Sequence, residues 1–204
     1  MIKEFVSSYM TAKGFQKPKA GNTESGDEYL LLEEEDYCLC VMVDGLGSGK
    51  SAKEAANTVI QTIRTYHTAP LLKMMERCNE AVRDQRGAVV TVFKYFYKTK
   101  KVEYSSIGNI RLVFVLPDGS LIRPIPVPGY LSGRMQKFKL QTFQLISNVV
   151  FLLYSDGVQP SWFTKEAVGM IKSYSVNMLD YFYRLTEQKV NRKDDVTLLI
   201  GKFY

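Results

Sequence analysis

Histidine and cysteine are scarce in this chain: His67 stands alone, and Cys38, Cys40 and Cys78 are the only thiols among 204 residues. An odd cysteine count without a secretory segment points to a reducing compartment and excludes a disulfide framework. Cys38 and Cys40 fall within one strand pattern, are expected on opposite sides of it, and read as small buried hydrophobes. Met1–Met10 has no long apolar core, so no signal peptide is expected. No apolar run approaches the length of a bilayer span. Interdomain linkers, internal repeats and low-complexity tracts are also missing, so residues 1–204 are expected to form one domain in the cytoplasm. The net charge of +6 has no aromatic-and-basic RNA motif beside it. Its densest run, Lys98, Lys100 and Lys101, falls at a hairpin turn and reads as solvated. Neither nucleic acid nor a membrane is expected as a partner, and a monomer is expected.

What the chain does have is apolar material, 46% of its residues, in patterns of two periods. Glu4–Met10 reads as an edge strand and Lys13–Gly21 as a loop. Strands are expected over Glu28–Leu32, Tyr37–Val43, Ala88–Tyr97, Val102–Ile107, Ile110–Leu116, Lys137–Leu145, Val149–Tyr154 and Val196–Phe203. Ser51–Tyr66 places Ala52, Ala55, Ala56, Val59, Ile60 and Ile63 on one helical face. A second helix starts after Pro70 and is expected to run toward Gly87. Leu121–Arg134, with Pro124, Pro126 and Pro128, reads mostly as loop. Thr164–Lys172 and Val176–Gln188 are expected helices. Strands, two helices, many strands, two helices and a last strand do not alternate as βαβ units, so the fold class is α+β in layers.

Three aspartates stand at strand ends. Asp44-Gly45-Leu46-Gly47-Ser48-Gly49 closes the run Tyr37–Val43. Ser155-Asp156-Gly157 closes Val149–Tyr154, and Asp194-Asp195 precedes Val196–Ile200. Carboxylates at strand ends, with the Gly45 carbonyl free of side-chain crowding, suit a hard divalent cation. Oxygen-only ligation favours magnesium or manganese over zinc. A lone Asp-Gly is ordinarily a turn, as Asp118-Gly119 is expected to be. The stretch Gly45–Ser51 also invites a phosphate-loop reading. Counting back from Gly49-Lys50, however, puts Asp44 where the first glycine of that motif belongs. A dinucleotide fingerprint fails because its third glycine would be Lys50. A P-loop-like nucleotide-binding protein, or a binding module without catalysis, remains the alternative.

At these residues the chain resembles the metal-dependent PPM (PP2C-like) phosphatases, in their SpoIIE-like bacterial branch. The matching stretches are Ser25-Gly26-Asp27, Asp44-Gly45-Leu46-Gly47, Gly87-Ala88, Ser106-Ile107-Gly108-Asn109, Ser155-Asp156-Gly157 and Lys193-Asp194-Asp195-Val196-Thr197. Arg77-Cys78-Asn79-Glu80-Ala81, Arg86-Gly87-Ala88 and Gly129-Tyr130-Leu131-Ser132-Gly133 point within that branch to the small phosphoserine phosphatases of the bacterial stress response. The resemblance implies a four-layer α-β-β-α sandwich of two mainly antiparallel sheets flanked by helix pairs. It implies two Mn²⁺ or Mg²⁺ ions as cofactors, with Asp44 bridging both and the Gly45 carbonyl on one. Asp156 and Asp194 would bind the other, Asp27 would complete the set, and Asp195 would stand behind the ligands. Asp44, Asp156 and Asp194 thereby become the implied catalytic residues, acting through a metal-activated water. The implied partners are phosphorylated stressosome scaffold or anti-sigma antagonist proteins. Two positions depart from the family: Gly26 where larger members carry Glu, and Leu46 where many carry a histidine acid. Arg111, Arg123, Arg134 and Lys50 are left as undivided candidates for the phosphate.

Overall fold

In a computed structural model, which describes residues 2–175, 177–187 and 193–204, two antiparallel sheets lie face to face. The chain runs β1 (Lys3–Val6), β2 (Met10–Lys17), β3 (Asp27–Glu33), β4 (Tyr37–Gly45), α1 (Lys50–Tyr66) and α2 (Leu71–Ala81). It continues through β5 (Ala88–Phe96), β6 (Lys101–Ile107), β7 (Arg111–Val115), β8 (Leu121–Ile122), β9 (Gln141–Gln144) and β10 (Val150–Tyr154). A 3-10 turn (Pro160–Trp162), α3 (Lys165–Ser173), α4 (Met178–Glu187) and β11 (Val196–Phe203) follow. The first sheet has the order β1-β2-β11-β10-β7-β8 and the second β3-β4-β5-β6-β9.

Period-two side chains fill the space between the sheets. Met42, Phe93, Tyr104, Phe114, Phe151, Leu199 and Phe203 are all buried in that layer, where Phe93 meets Phe114 and Phe151 edge-on. The outer face of the second sheet is covered by α1 and α2, through Ala56, Val59, Ile60, Ile63, Met74 and Cys78. The outer face of the first sheet is covered by α3 and α4, through Ile171, Leu179 and Phe182. The result is the α-β-β-α order of layers. Each strand buried on both faces reads as a continuous apolar run, which is why β4, β5, β10 and β11 were legible from sequence.

Several expectations need correction. Glu4–Met10 is not one strand: it breaks at Ser7, whose amide bonds the Met10 carbonyl, and turns into β2. Lys13–Lys17, expected as loop, continues β2 against β11. The lysines hid this, because their stems lie along the sheet while Lys13 reaches Glu4 and Lys17 covers the Tyr183 ring. The second helix ends at Ala81, well short of Gly87. Of Lys137–Leu145 only Gln141–Gln144 is strand, a short edge that pairs on one side with β6. Leu121–Ile122 is a two-residue strand inside the expected loop. Cys38 and Cys40 share one face, both in the layer between the sheets, because residues two apart in a strand point the same way. Val176 and Gln188, the expected limits of the last helix, lie outside the described residues.

Candidate metal centre

The sheet register puts Asp27 directly opposite Asp44 across β3 and β4, so their Cβ atoms stand about 4.5–5.5 Å apart. Two carboxylates side by side repel unless something positive comes between them. Local packing fixes both. The Gly45 amide bonds the Gly26 carbonyl at 3.1 Å, and the Leu46 amide bonds the Gly87 carbonyl at 3.0 Å. A Cβ on Gly45 would lie 1.9 Å from the Ala52 carbonyl oxygen. Only glycine lets the first turn of α1 press onto the end of β4 in this way.

From the first sheet, β10 runs into Ser155-Asp156-Gly157, and Asp194 immediately precedes β11. The Ser155 amide bonds the Thr197 carbonyl, and the Ser155 hydroxyl accepts from the Thr197 amide, each at 3.0 Å. A Cβ on Gly157 would lie 1.9 Å from the Asp195 carbonyl oxygen. These contacts hold the two ends together. Asp44, Asp156 and Asp194 consequently line one open cleft of about 500 Å³, with Leu46, Gly47, Asn109, Pro128 and Tyr130 among its walls. Asn109 donates to Asp156 Oδ2 at 2.7 Å, which orients that carboxylate.

Asp27 lies beneath, 1% exposed. Burial pushes its pKa up to about 7, and the charges of Asp195 and Asp156 add to the rise. The Ser155 and Thr197 hydroxyls pull the other way, yet Oδ2 itself is buried with no hydrogen-bond partner. Asp44 is pushed higher, to about 9, by burial first and then by Asp27, Asp156, Asp194 and Asp195. Asp194 is raised by burial and by Asp156, with Lys19 offsetting part of the effect.

Among the described residues, no three His, Cys, Asp or Glu side chains stand close enough together to hold an ion as they are. The donor set nevertheless fits a hard cation. It is all oxygen, it carries like charges that raise one another's pKa, and it includes a buried carboxylate oxygen without a partner.

Asp195 has a different task. It is 3% exposed, and its two oxygens accept from the backbone amides of Lys19 and Gly26, both at 2.6 Å. It therefore pins residues 19–26, the segment that delivers Asp27. His67 caps the far end of α1 and reaches Tyr37 at 3.0 Å. Tyr37 and Asp44 are at opposite ends of β4, so the lone imidazole cannot reach the cleft. It is also half-buried.

The candidate phosphate binders separate. Lys50 is exposed and pairs with Glu54 along α1 at 3.9 Å, and the surrounding sheet is antiparallel, so the phosphate-loop alternative has neither its lysine nor its parallel strands. Arg123 lines a different, apolar pocket. A cation packed against the glycine loop is one that was not singled out: Arg86. Its Nη1 stands 2.5 Å from where a Cβ on Gly47 would be, and Gly47 has a φ of +98°. Among the described residues no carboxylate pairs with this guanidinium. Arg86 was quoted only as the neighbour of Gly87-Ala88. The available signal was an arginine beside a glycine that must meet the Asp-Gly loop.

Comparison with known proteins identifies the fold and the family. Residues 34–204 match the family model of the stage II sporulation protein E (SpoIIE). The chain is 28% identical over 202 residues to the phosphoserine phosphatase RsbX of Bacillus subtilis (strain 168), covering 99% of both. The crystal structure of RsbX in complex with magnesium superposes with a TM-score of 0.86, at 26% identity over the full length of both chains. A structure from the bacterial stressosome system has a TM-score of 0.82 at 22% identity, covering 95% of this chain and 99% of that one. The catalytic domain of the serine/threonine protein phosphatase PstP, in complex with two manganese ions, shares the fold at a TM-score of 0.72 and 15% identity, covering 96% of this chain and 98% of that domain. With its four-layer sandwich, the strand-end carboxylates and a match over 34–204, the chain belongs to the SpoIIE family, within the PP2C-type phosphatase fold.

Proposed function

We propose that this chain is a metal-dependent protein phosphoserine phosphatase that acts as a monomer in the cytoplasm. Its substrates are phosphorylated stressosome scaffold or anti-sigma antagonist proteins, and it supplies negative feedback in the bacterial general stress response. The observation that carries this reading is that three aspartates from three strand ends line one cleft, with a fourth, Asp27, buried beside Asp44 and carrying an unpartnered oxygen. Likeness to RsbX supports the substrate class.

Asp44, the Gly45 carbonyl, Asp27, Asp156 and Asp194 would hold two Mn²⁺ or Mg²⁺ ions at this cleft. Bound there, the cations supply Lewis acidity, acidifying water and offsetting charge on phosphoryl oxygens. The chain's own part is placement. Asn109 fixes the Asp156 carboxylate, and Asp195 fixes the segment carrying Asp27. Arg86, unpaired and braced against Gly47, presents its fork to the phosphoryl group. Leu46 has no proton to give, so departure of the serine oxygen relies on water from the open side of the cleft. That side is open to solvent.

The test is release of phosphate from phosphorylated antagonist proteins with manganese, with chelator, and with Asp44→Ala. We expect turnover with manganese and none in the other two, with the far-UV circular dichroism of the variant unchanged. Full activity of Asp44→Ala with manganese refutes the assignment.

A further inference from the structure

A second concavity, of about 410 Å³, lies on the outer face of the first sheet beneath α3. It shares no lining residue with the carboxylate cleft. Its walls are apolar, with Val115, Leu121, Leu152, Phe163, Val168 and Ile171 among them. Packed protein interiors leave few voids larger than a water molecule, whereas sites for small organic ligands run to about 300–1,000 Å³. Leu121 and Val168 are 42% and 38% exposed, so the space opens to solvent between them.

The charged side chains lining it are of one sign, Arg123 and Lys172, and no Asp or Glu lines it. Lys172 reaches from the last turn of α3 across to the β7–β8 turn, where its Nζ is 2.9 Å from the position of a Cβ on Gly119. The neighbouring Asp118 makes no ion pair with it; the Asp118 Oδ1 accepts instead from the Ser120 amide at 2.8 Å and the Ser120 hydroxyl at 2.7 Å. Arg123 shares the pocket wall with Tyr154, whose phenol is raised by burial while the charges of Arg111 and then Arg123 work against that rise. Neither cation has a carboxylate partner among the described residues. An apolar slot with two unpaired cations and no anion is complementary to a molecule with an apolar body and an anionic head.

We propose that this pocket binds a small amphiphilic anion, an acyl chain ending in a carboxylate. The chain lies between the sheet and α3, and the head lies between Arg123 and Lys172.

The test titrates the intact protein with free decanoate, decanol and decyltrimethylammonium, each below its micelle-forming concentration. Calorimetry measures binding, and the fluorescence of Trp162, the sole tryptophan, reports on the site because its neighbour Phe163 lines the wall. We expect saturable binding of one decanoate, weaker binding of decanol and none of the cation. Arg123→Gln with Lys172→Gln should weaken decanoate by about tenfold or more and leave decanol unchanged. Val168→Phe, at the exposed rim, should weaken both by narrowing the slot. Decanoate binding undiminished in both variants overturns the proposal. Equal binding of the cationic amphiphile does so too, as does a protein that sediments with anionic phospholipid vesicles yet ignores free decanoate.

Discussion

Replacing Asp27 by Asn should make the metal-free protein more stable, although it removes a residue proposed for the active site. Asp27 is 1% exposed and its pKa is raised from 3.8 to about 7. The folded state therefore holds a proton that the unfolded chain releases near pH 4. Stability from that proton is fully present below about pH 4 and is lost as pH rises to about 7. Above that, the folded state carries a buried anion whose Oδ2 has no partner. Three pKa units at 1.36 kcal/mol each make the loss on the order of 4 kcal/mol, an upper bound because neighbouring carboxylates share it. Asparagine has nearly the same shape and no charge, and its amide can donate toward Asp44. For a chain of this length about 1 kcal/mol moves Tm by roughly 2–4 °C. At pH 8 in chelator, Asp27→Asn should melt several degrees above the wild type, and at pH 4 the two should converge. Manganese should raise the wild-type Tm strongly and the variant's much less. Differential scanning fluorimetry across pH, with chelator and with manganese, reads all of this. A variant that melts at or below wild type in chelator at pH 8, or that keeps the full manganese shift, refutes the reasoning.

Asp195→Ala should act in the opposite direction. It deletes an acceptor bonded to the Lys19 and Gly26 amides, which costs about 3 kcal/mol or more and lowers Tm at pH 8 with or without metal; an unchanged Tm would show that the segment 19–26 is held by something else. Arg86→Gln should lower kcat/KM on a phosphorylated protein by about 10- to 100-fold, chiefly through KM, with partial recovery in Arg86→Lys; a change within about twofold removes Arg86 from phosphate binding. Gly47→Ala should reproduce that loss, because the new methyl meets Nη1. Gly45→Ala puts a methyl against the Ala52 carbonyl, which cannot swing away as a side chain would, so α1 must shift at a cost of about 3 kcal/mol or more; a Tm within a degree or so of wild type argues against that close approach.

The fold was legible wherever one physical signal dominated. Strand β11 was placed at its observed limits, Val196–Phe203, because five of its eight residues are apolar and both of its faces are covered. Helix α1 was legible because small and branched residues recur on one face. Reading failed where two signals competed. In β2 the charges of Lys13 and Lys17 masked an alternation whose buried members, Met10, Ala12 and Phe15, face different layers. In β9 the edge position leaves alternate residues exposed, so apolar content overstated the strand.

The site divides along a similar line. Asp44, Asp156 and Asp194 each announce themselves locally, because a carboxylate at the end of an apolar run, mostly with glycine close by, has few structural uses. That they line one cleft depends on strand order, and order is not written in any single segment. The register Asp27↔Asp44 needs β3 paired with β4, and the approach of Asp156 to Asp194 needs β10 paired with β11. Residues that support these carboxylates from behind carry a weaker local mark. Asp195 was expected to stand behind the ligands, but what it holds there emerges only when its oxygens are found on two backbone amides, and Arg86 looks like one of many surface cations until its guanidinium is found in the space a Gly47 side chain would need. In both cases the informative quantity is a distance across more than 35 residues of sequence, fixed by packing. The carboxylates define which ions the cleft could host; Asp195 fixes the segment that delivers Asp27, and Arg86 is the contact proposed for the phosphoryl group.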